Sequence, residues 1–136
     1  MKKLLAFVFI ILLINLLPAQ ETVEVTDLVV RQMDNNLLRI TVEVRNSATS
    51  EVSEIAGHID IYDNSERIVE KKFIQILHVH DVPLKPGESK SRAVVTTQRP
   101  NMSGTARYRI THLRFFGEQD VYMVCPNCGE IILKDE

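Results

Sequence analysis

Beyond the first twenty or so residues, apolar and polar positions alternate along this chain instead of recurring every three or four residues. Leu38, Ile40, Val42 and Val44 interleave with Arg39, Thr41, Glu43 and Arg45. A period of two with β-branched residues on one side describes a strand with one buried and one wet face. Ile55, Gly57, Ile59 and Ile61 repeat the pattern against Ala56, His58, Asp60 and Tyr62. Val23–Met33, Ile68–Leu77, Ser89–Thr97, Ala106–Phe116 and Val121–Val124 complete a set of seven short strands with no strong helix signal between them. Polar breaks separate them at Asp34-Asn35-Asn36, at Asn46 to Ser50, at Asp63-Asn64-Ser65-Glu66 and at Arg99 to Gly104. In Lys85-Pro86-Gly87-Glu88 a fixed-φ proline precedes a glycine able to take positive φ, which predicts a type II turn. The pattern predicts an all-β, antiparallel immunoglobulin-like β-sandwich of about seven strands. It would lack the tryptophan and the inter-sheet cysteine pair of antibody domains, and would end in a C-terminal CxxC hairpin.

The first residues follow a different grammar. Met1-Lys2-Lys3 is basic, Leu4 to Leu17 holds thirteen apolar residues in fourteen, and Pro18-Ala19-Gln20 follows. Charged start, apolar run and small-residue exit are the features of a secretory signal. The run is shorter than the ~20 residues a membrane span needs. The expected organisation is a signal peptide over 1–19, a sandwich over 20–124, and a Cys-Pro-Asn-Cys-Gly knuckle with a C-terminal strand or tail over 125–136. Retention of the leader as an N-terminal anchor is the alternative to cleavage after Ala19. No later segment could span a membrane as a helix, and the expected location is exported, periplasmic or secreted.

Two segments and a short motif resemble a known family. Ile59-Asp60-Ile61-Tyr62-Asp63 is similar to the F-x-L-Y-D signature of FxLYD-type domains in exported bacterial proteins. Val42-Glu43-Val44-Arg45-Asn46-Ser47 resembles the strand and Asn-containing turn before that signature. Leu84-Lys85-Pro86-Gly87-Glu88-Ser89 resembles the L-x-P-G-E/D segment that follows it. The likeness covers roughly 38–97. Ile59 stands where that signature has Phe, and Glu66 where a turn glycine is common. The resemblance implies an immunoglobulin-like sandwich with no catalytic residues attached to the motif, and fold alone carries no function.

Charge narrows the choice of partners. Without the two leader lysines, 14 basic residues face 18 acidic ones, which argues against a nucleic-acid binder. The distribution is uneven: residues 85–114 carry seven basic side chains and only Glu88 on the acidic side. Within that stretch Arg92, Arg107 and Arg109 are the candidate anion-contact surface, suited to lipid headgroups, polyanionic glycans or an acidic protein patch. Tyr108 alternates with Arg107 and Arg109 and is expected to point inward. Phe115 and Phe116 are expected to pack the core.

The one motif with chemistry written into it is Cys125-Pro126-Asn127-Cys128-Gly129, which holds both cysteines of the chain. It resembles one knuckle of a zinc ribbon, but a structural zinc takes four ligands and the hairpin offers two. A zinc site would need a second chain, a partner, or His78 and His80, which on a strand would project to one face. In an oxidising compartment the same pair would close into a disulfide, either as a staple or as a thiol–disulfide redox site with Cys125 attacking and Cys128 resolving. No nucleophile–base arrangement, phosphate-cradling loop or zinc-protease motif is present in the sequence. The expected function is that of an exported, non-enzymatic binding or assembly module of the cell envelope. Its partner would be a protein or envelope component, with homodimerisation through the knuckle as one route to assembly. Zinc binding and thiol redox activity are the two alternatives.

Overall fold

The computed structural model describes residues 23–125 and 130–133. Eight strands are formed among them: β1 (Val23–Met33), β2 (Leu37–Asn46), β3 (Val52–Asp63), β4 (Ile68–Leu77), β5 (Ser89–Thr97), β6 (Met102–Phe115), β7 (Tyr122–Val124) and β8 (Ile131–Leu133). They build two antiparallel sheets, a three-stranded one in the order β1-β2-β5 and a five-stranded one in the order β4-β3-β6-β7-β8. The fold is an all-β sandwich, as the alternation predicts. Among the described residues no helix is long and apolar enough to cross a membrane.

The core lies where period two puts it. Leu38, Ile40, Val42 and Val44 from β2 are all buried, and they join Ile55, Ile59 and Ile61 from β3 in one apolar cluster with Ile74, Ile76, Tyr108, Ile110 and Leu113. Gly57 is the gap in the β3 row. A side chain there would strike the backbone oxygen of Arg109 and come within 2.9 Å of the Tyr108 ring. The missing side chain lets the Tyr108 ring lie over the strand. Burial pushes the Tyr108 phenol well above its ordinary pKa of 10.0.

Three polar devices lock the connections. Asn46 is fully buried at the end of β2. Its amide donates to the carbonyls of Ser50 (2.9 Å) and Leu84 (2.8 Å), and its Oδ1 accepts from Ala48 N (3.0 Å). Its own N–H donates to Glu88 O at 2.9 Å, and its carbonyl accepts from Gly87 N at 2.7 Å. The Asn46 turn is thereby tied to the Leu84–Glu88 segment. Within that segment Gly87 has φ +82° and Glu88 N donates to Lys85 O at 3.0 Å, the geometry of a type II turn. At the β3–β4 hairpin, Asp63 Oδ1 accepts from Ser65 N (2.8 Å) and Arg67 N (2.9 Å), while Oδ2 accepts from Arg67 Nε (3.1 Å). At the open side of the sandwich, β4 reaches across to β5: Lys72 Nζ donates to Val95 O (3.2 Å), and Thr96 Oγ1 donates to Glu70 Oε1 (2.8 Å).

Three expectations change. β6 begins at Met102, so Met102, Ser103 and Gly104 belong to a strand rather than a break. A left-handed Gly104 (φ +75°) bends the chain there without ending the pairing. Phe115 packs against the core but Phe116, one residue beyond β6, is exposed. His78 and His80 lie past the end of β4 in a turn closed by Asp81 N donating to His78 O at 2.9 Å. The strand alternation that would have aimed both rings to one side is therefore missing. β8 is the C-terminal strand expected beyond the cysteine turn, paired to β7 through Tyr122 with Leu133, Met123 with Ile132 and Val124 with Ile131.

Candidate functional site

The outward face of the five-stranded sheet carries an unusual row. Since Ile59 and Ile61 point into the core, alternation sends His58, Asp60 and Tyr62 to the other face of β3. Across from them on β4, Phe73 pairs with His58 and Lys71 with Asp60. On β6, Arg109 pairs with His58 and Arg107 with Asp60. Side chains directly opposite on antiparallel strands lie about 5 Å apart at Cβ, so these residues form two adjacent rows: Phe73-His58-Arg109 and Lys71-Asp60-Arg107.

Asp60 is the anomaly. It sits on the solvent side of the sheet yet is only 1% exposed, covered by its longer neighbours. Arg109 places a guanidinium nitrogen 2.6 Å from Oδ2, and Lys71 Nζ stands 3.8 Å from Oδ1. Oδ1 itself and Arg109 Nε are buried without a hydrogen-bond partner among the described residues. A buried carboxylate is costly unless paired, so Asp60 holds the Arg109 head group in place as the condition of its own burial. Arg107 makes no ion pair among the described residues. Three cations thus surround one carboxylate, and the row is left with net positive charge. Two levels further along the face, Arg114 and Glu54 are matched at 3.3 Å and Gln75 Nε2 donates to Glu54 at 3.0 Å, so the excess is confined to the middle of the sheet.

Beside this charge stands an exposed aromatic. Phe73 is 56% exposed and meets the His58 ring edge-on, with centroids 5.4 Å apart. Met123 and Ile132, paired across β7 and β8, are also exposed. Between β3 and β6, Arg107 opens onto a shallow groove of about 460 Å³ that also takes in Tyr62, Asn64, Glu66, Ser103 and Thr105. Asp63 lines the same groove, but its carboxylate is engaged by Arg67.

The residues singled out from sequence are dispersed. Arg107 and Arg109 share β6 as expected, whereas Arg92 is on β5 in the other sheet, opposite Val42. Asp81 of the His78 turn accepts from Lys90 Nζ at 2.8 Å and from His78 N at 3.1 Å, and both contacts depress its pKa, the lysine most. Cys125 is half-buried just past β7, its N–H donating to Glu130 O at 2.8 Å. Cys128 and the rest of 126–129 lie outside the described residues, and with them the turn of the CxxC hairpin. In the sheet order, β3 and β6 separate β7 from β4, a span of about 14 Å at ordinary strand spacing. The fold therefore holds Cys125 apart from the His78–His80 turn. Among the described residues no three His, Cys, Asp or Glu side chains gather as a metal-binding group.

Sequence reasoning missed Asp60, Lys71 and Phe73 as a unit. The available signal was an aspartate between two core isoleucines, at an outward strand position flanked by His58 and Tyr62.

No family model and no curated protein matches the chain. Among solved structures it is similar to the "Putative ApaA Protein from Bordetella pertussis" at 18% identity, over 71% of this chain and 83% of that one, with a TM-score of 0.45.

Proposed function

We propose that this chain is an exported, non-enzymatic binding module that acts by contact, and that the outward face of its five-stranded sheet is the working surface. The leader-like residues 1–19 support export to the periplasm or beyond. The observation that carries the surface assignment is the pair of rows Phe73-His58-Arg109 and Lys71-Asp60-Arg107, in which Arg109 and Lys71 share one buried carboxylate and Arg107 is left unpaired among the described residues, beside an exposed aromatic ring. Arginine and aromatic side chains at the centre of a patch are what protein interfaces enrich. Arg109 arrives already fixed by Asp60, so little side-chain freedom is lost when a partner lands on it.

The test is photo-cross-linking in the producing cells. A photoreactive residue at position 73 is expected to give a discrete adduct outside the cytoplasm. The same residue at exposed position 39, in the other sheet, is expected to give none. Equal adducts from both positions, or none from position 73, would overturn the assignment, and a chain retained in the cytoplasm at full length would overturn export.

A further inference from the structure

We infer that the groove beside Arg107 receives a carboxylate from an acidic segment of a partner protein, with the neighbouring Phe73–His58 pair taking an apolar side chain of the same segment. The inference rests on the reading of the outward sheet face as the working surface, and it names what lands there.

Three observations converge on it. First, Arg107 is the one cation of its row with no ion pair among the described residues, and it borders the groove. Its cross-strand neighbour Asp60 is already held by Arg109 and faced by Lys71, so Arg107 is left to bind an anion from outside. Guanidinium presents a planar fork that matches a carboxylate with two parallel hydrogen bonds. Second, the rest of the groove offers groups suited to a peptide: the Tyr62 ring, the Asn64 amide and the Thr105 hydroxyl, none with a side-chain hydrogen bond among the described residues. Ser103 is different, its hydroxyl donating to Tyr62 O at 3.1 Å. Third, the adjacent row mixes apolar and basic character, because Phe73 stands exposed one residue pair away from Lys71 on the same strand face. A surface built for a purely polar chain would have little use for that ring. A segment alternating acidic and apolar side chains meets both features.

Glu66 lines the hairpin side of the groove and opposes an incoming anion. If an acidic segment binds here, removing Glu66 tightens binding even though the change is remote from the Arg109–Asp60 pair.

The experiment titrates the purified full chain with a short fluorescein-labelled peptide rich in glutamate and leucine, read by anisotropy. Polygalacturonate and anionic phospholipid vesicles serve as competing probes. Saturable, salt-sensitive peptide binding is expected. Arg107→Glu should weaken it by about tenfold or more, Phe73→Ala should weaken it, and Glu66→Gly should tighten it. Arg92→Glu, the same charge reversal in the other sheet, should leave it unchanged. Equal losses from Arg92→Glu and Arg107→Glu would reduce the effect to net charge and overturn the inference. Binding of polygalacturonate or vesicles with none of the peptide would overturn it in favour of a glycan or a membrane surface. If the position 73 adduct forms in cells while the peptide fails to bind, the working surface stands and only the partner chemistry falls. If the adduct also fails, both fall.

Discussion

Replacing Asn46 by alanine would leave the Ser50 carbonyl and the buried N–H of Ala48 without their partner, and would leave the Leu84 carbonyl only its bond from Val52 N at 3.0 Å. Each stranded group costs about 1–3 kcal/mol, and partial relaxation of the turn recovers some of that, so Asn46→Ala is expected to cost about 3 kcal/mol. Asn46→Asp is expected to do at least as much harm at neutral pH, because it turns a donor facing two carbonyl oxygens into a charged acceptor. Urea unfolding of the two variants measures this. A loss well below 1 kcal/mol for Asn46→Ala would show that the Leu84–Glu88 segment is held by its own turn and not by this side chain. Asp60 differs in kind. Its burial on the wet side of a sheet makes it a positioning residue for Arg109, whereas Asn46 touches nothing that faces a partner.

The β3–β4 hairpin shows how one strained residue sits inside a well-made element. Asp63 closes the turn by accepting from Ser65 N and Arg67 N, and Asp63 N donates to Arg67 O at 2.9 Å. These bonds require Glu66 at φ +61°, in the left-handed region that an ordinary L-residue adopts only at a cost. Glu66→Gly removes that cost but adds freedom to the unfolded chain, and the balance is a gain of roughly 0.5–1 kcal/mol. A thermal melt checks it, and a lower melting temperature would mean that the Glu66 side chain makes a contact that outweighs its backbone strain. The strain was legible in the sequence as a turn position where glycine is the common choice. So were β2 and β3, because residues 38–45 and 55–62 alternate and one face of each alternation is the core. The start of β6 was not legible: Asn101-Met102-Ser103-Gly104 has turn composition, and only pairing with the end of β3 makes it a strand. The His78–His80 segment failed for the converse reason. Its local sequence suits a strand, but the chain must leave one sheet for the other there, and Asp81 closes a turn around it. The charged row on the outward face of the five-stranded sheet was the least legible feature, because the burial of Asp60 depends on Lys71 from one neighbouring strand and Arg109 from the other. No local pattern brings those three together.

At the scale of the whole molecule, two aspartates join parts of the sandwich that are distant from one another, and they make its stability depend on acid. Asp63 holds the β3–β4 hairpin, and Asp81 ties the crossing from β4 to the start of β5 through Lys90. The carboxyl of Asp63 is held below the ordinary 3.8, chiefly by the Arg67 backbone N–H, and that of Asp81 chiefly by its hydrogen bond from Lys90. A carboxylate whose folded pKa lies below its unfolded value binds protons more readily in the unfolded chain, so acid favours unfolding. The stabilisation from both groups is complete above the unfolded value near 3.8 and drains away as pH falls below it, through the lower folded values. Urea midpoints measured from pH 6 down to pH 2 should therefore hold steady and then drop below about pH 4. In Asp63→Asn with Asp81→Asn the curve should start lower at pH 6, fall less steeply, and approach the wild-type curve at the acid end, where the native carboxyls are protonated and resemble the amides. Parallel curves for the two proteins would place the acid-sensitive groups elsewhere, with the Glu54–Arg114 and Glu70–Thr96 contacts next to be tested.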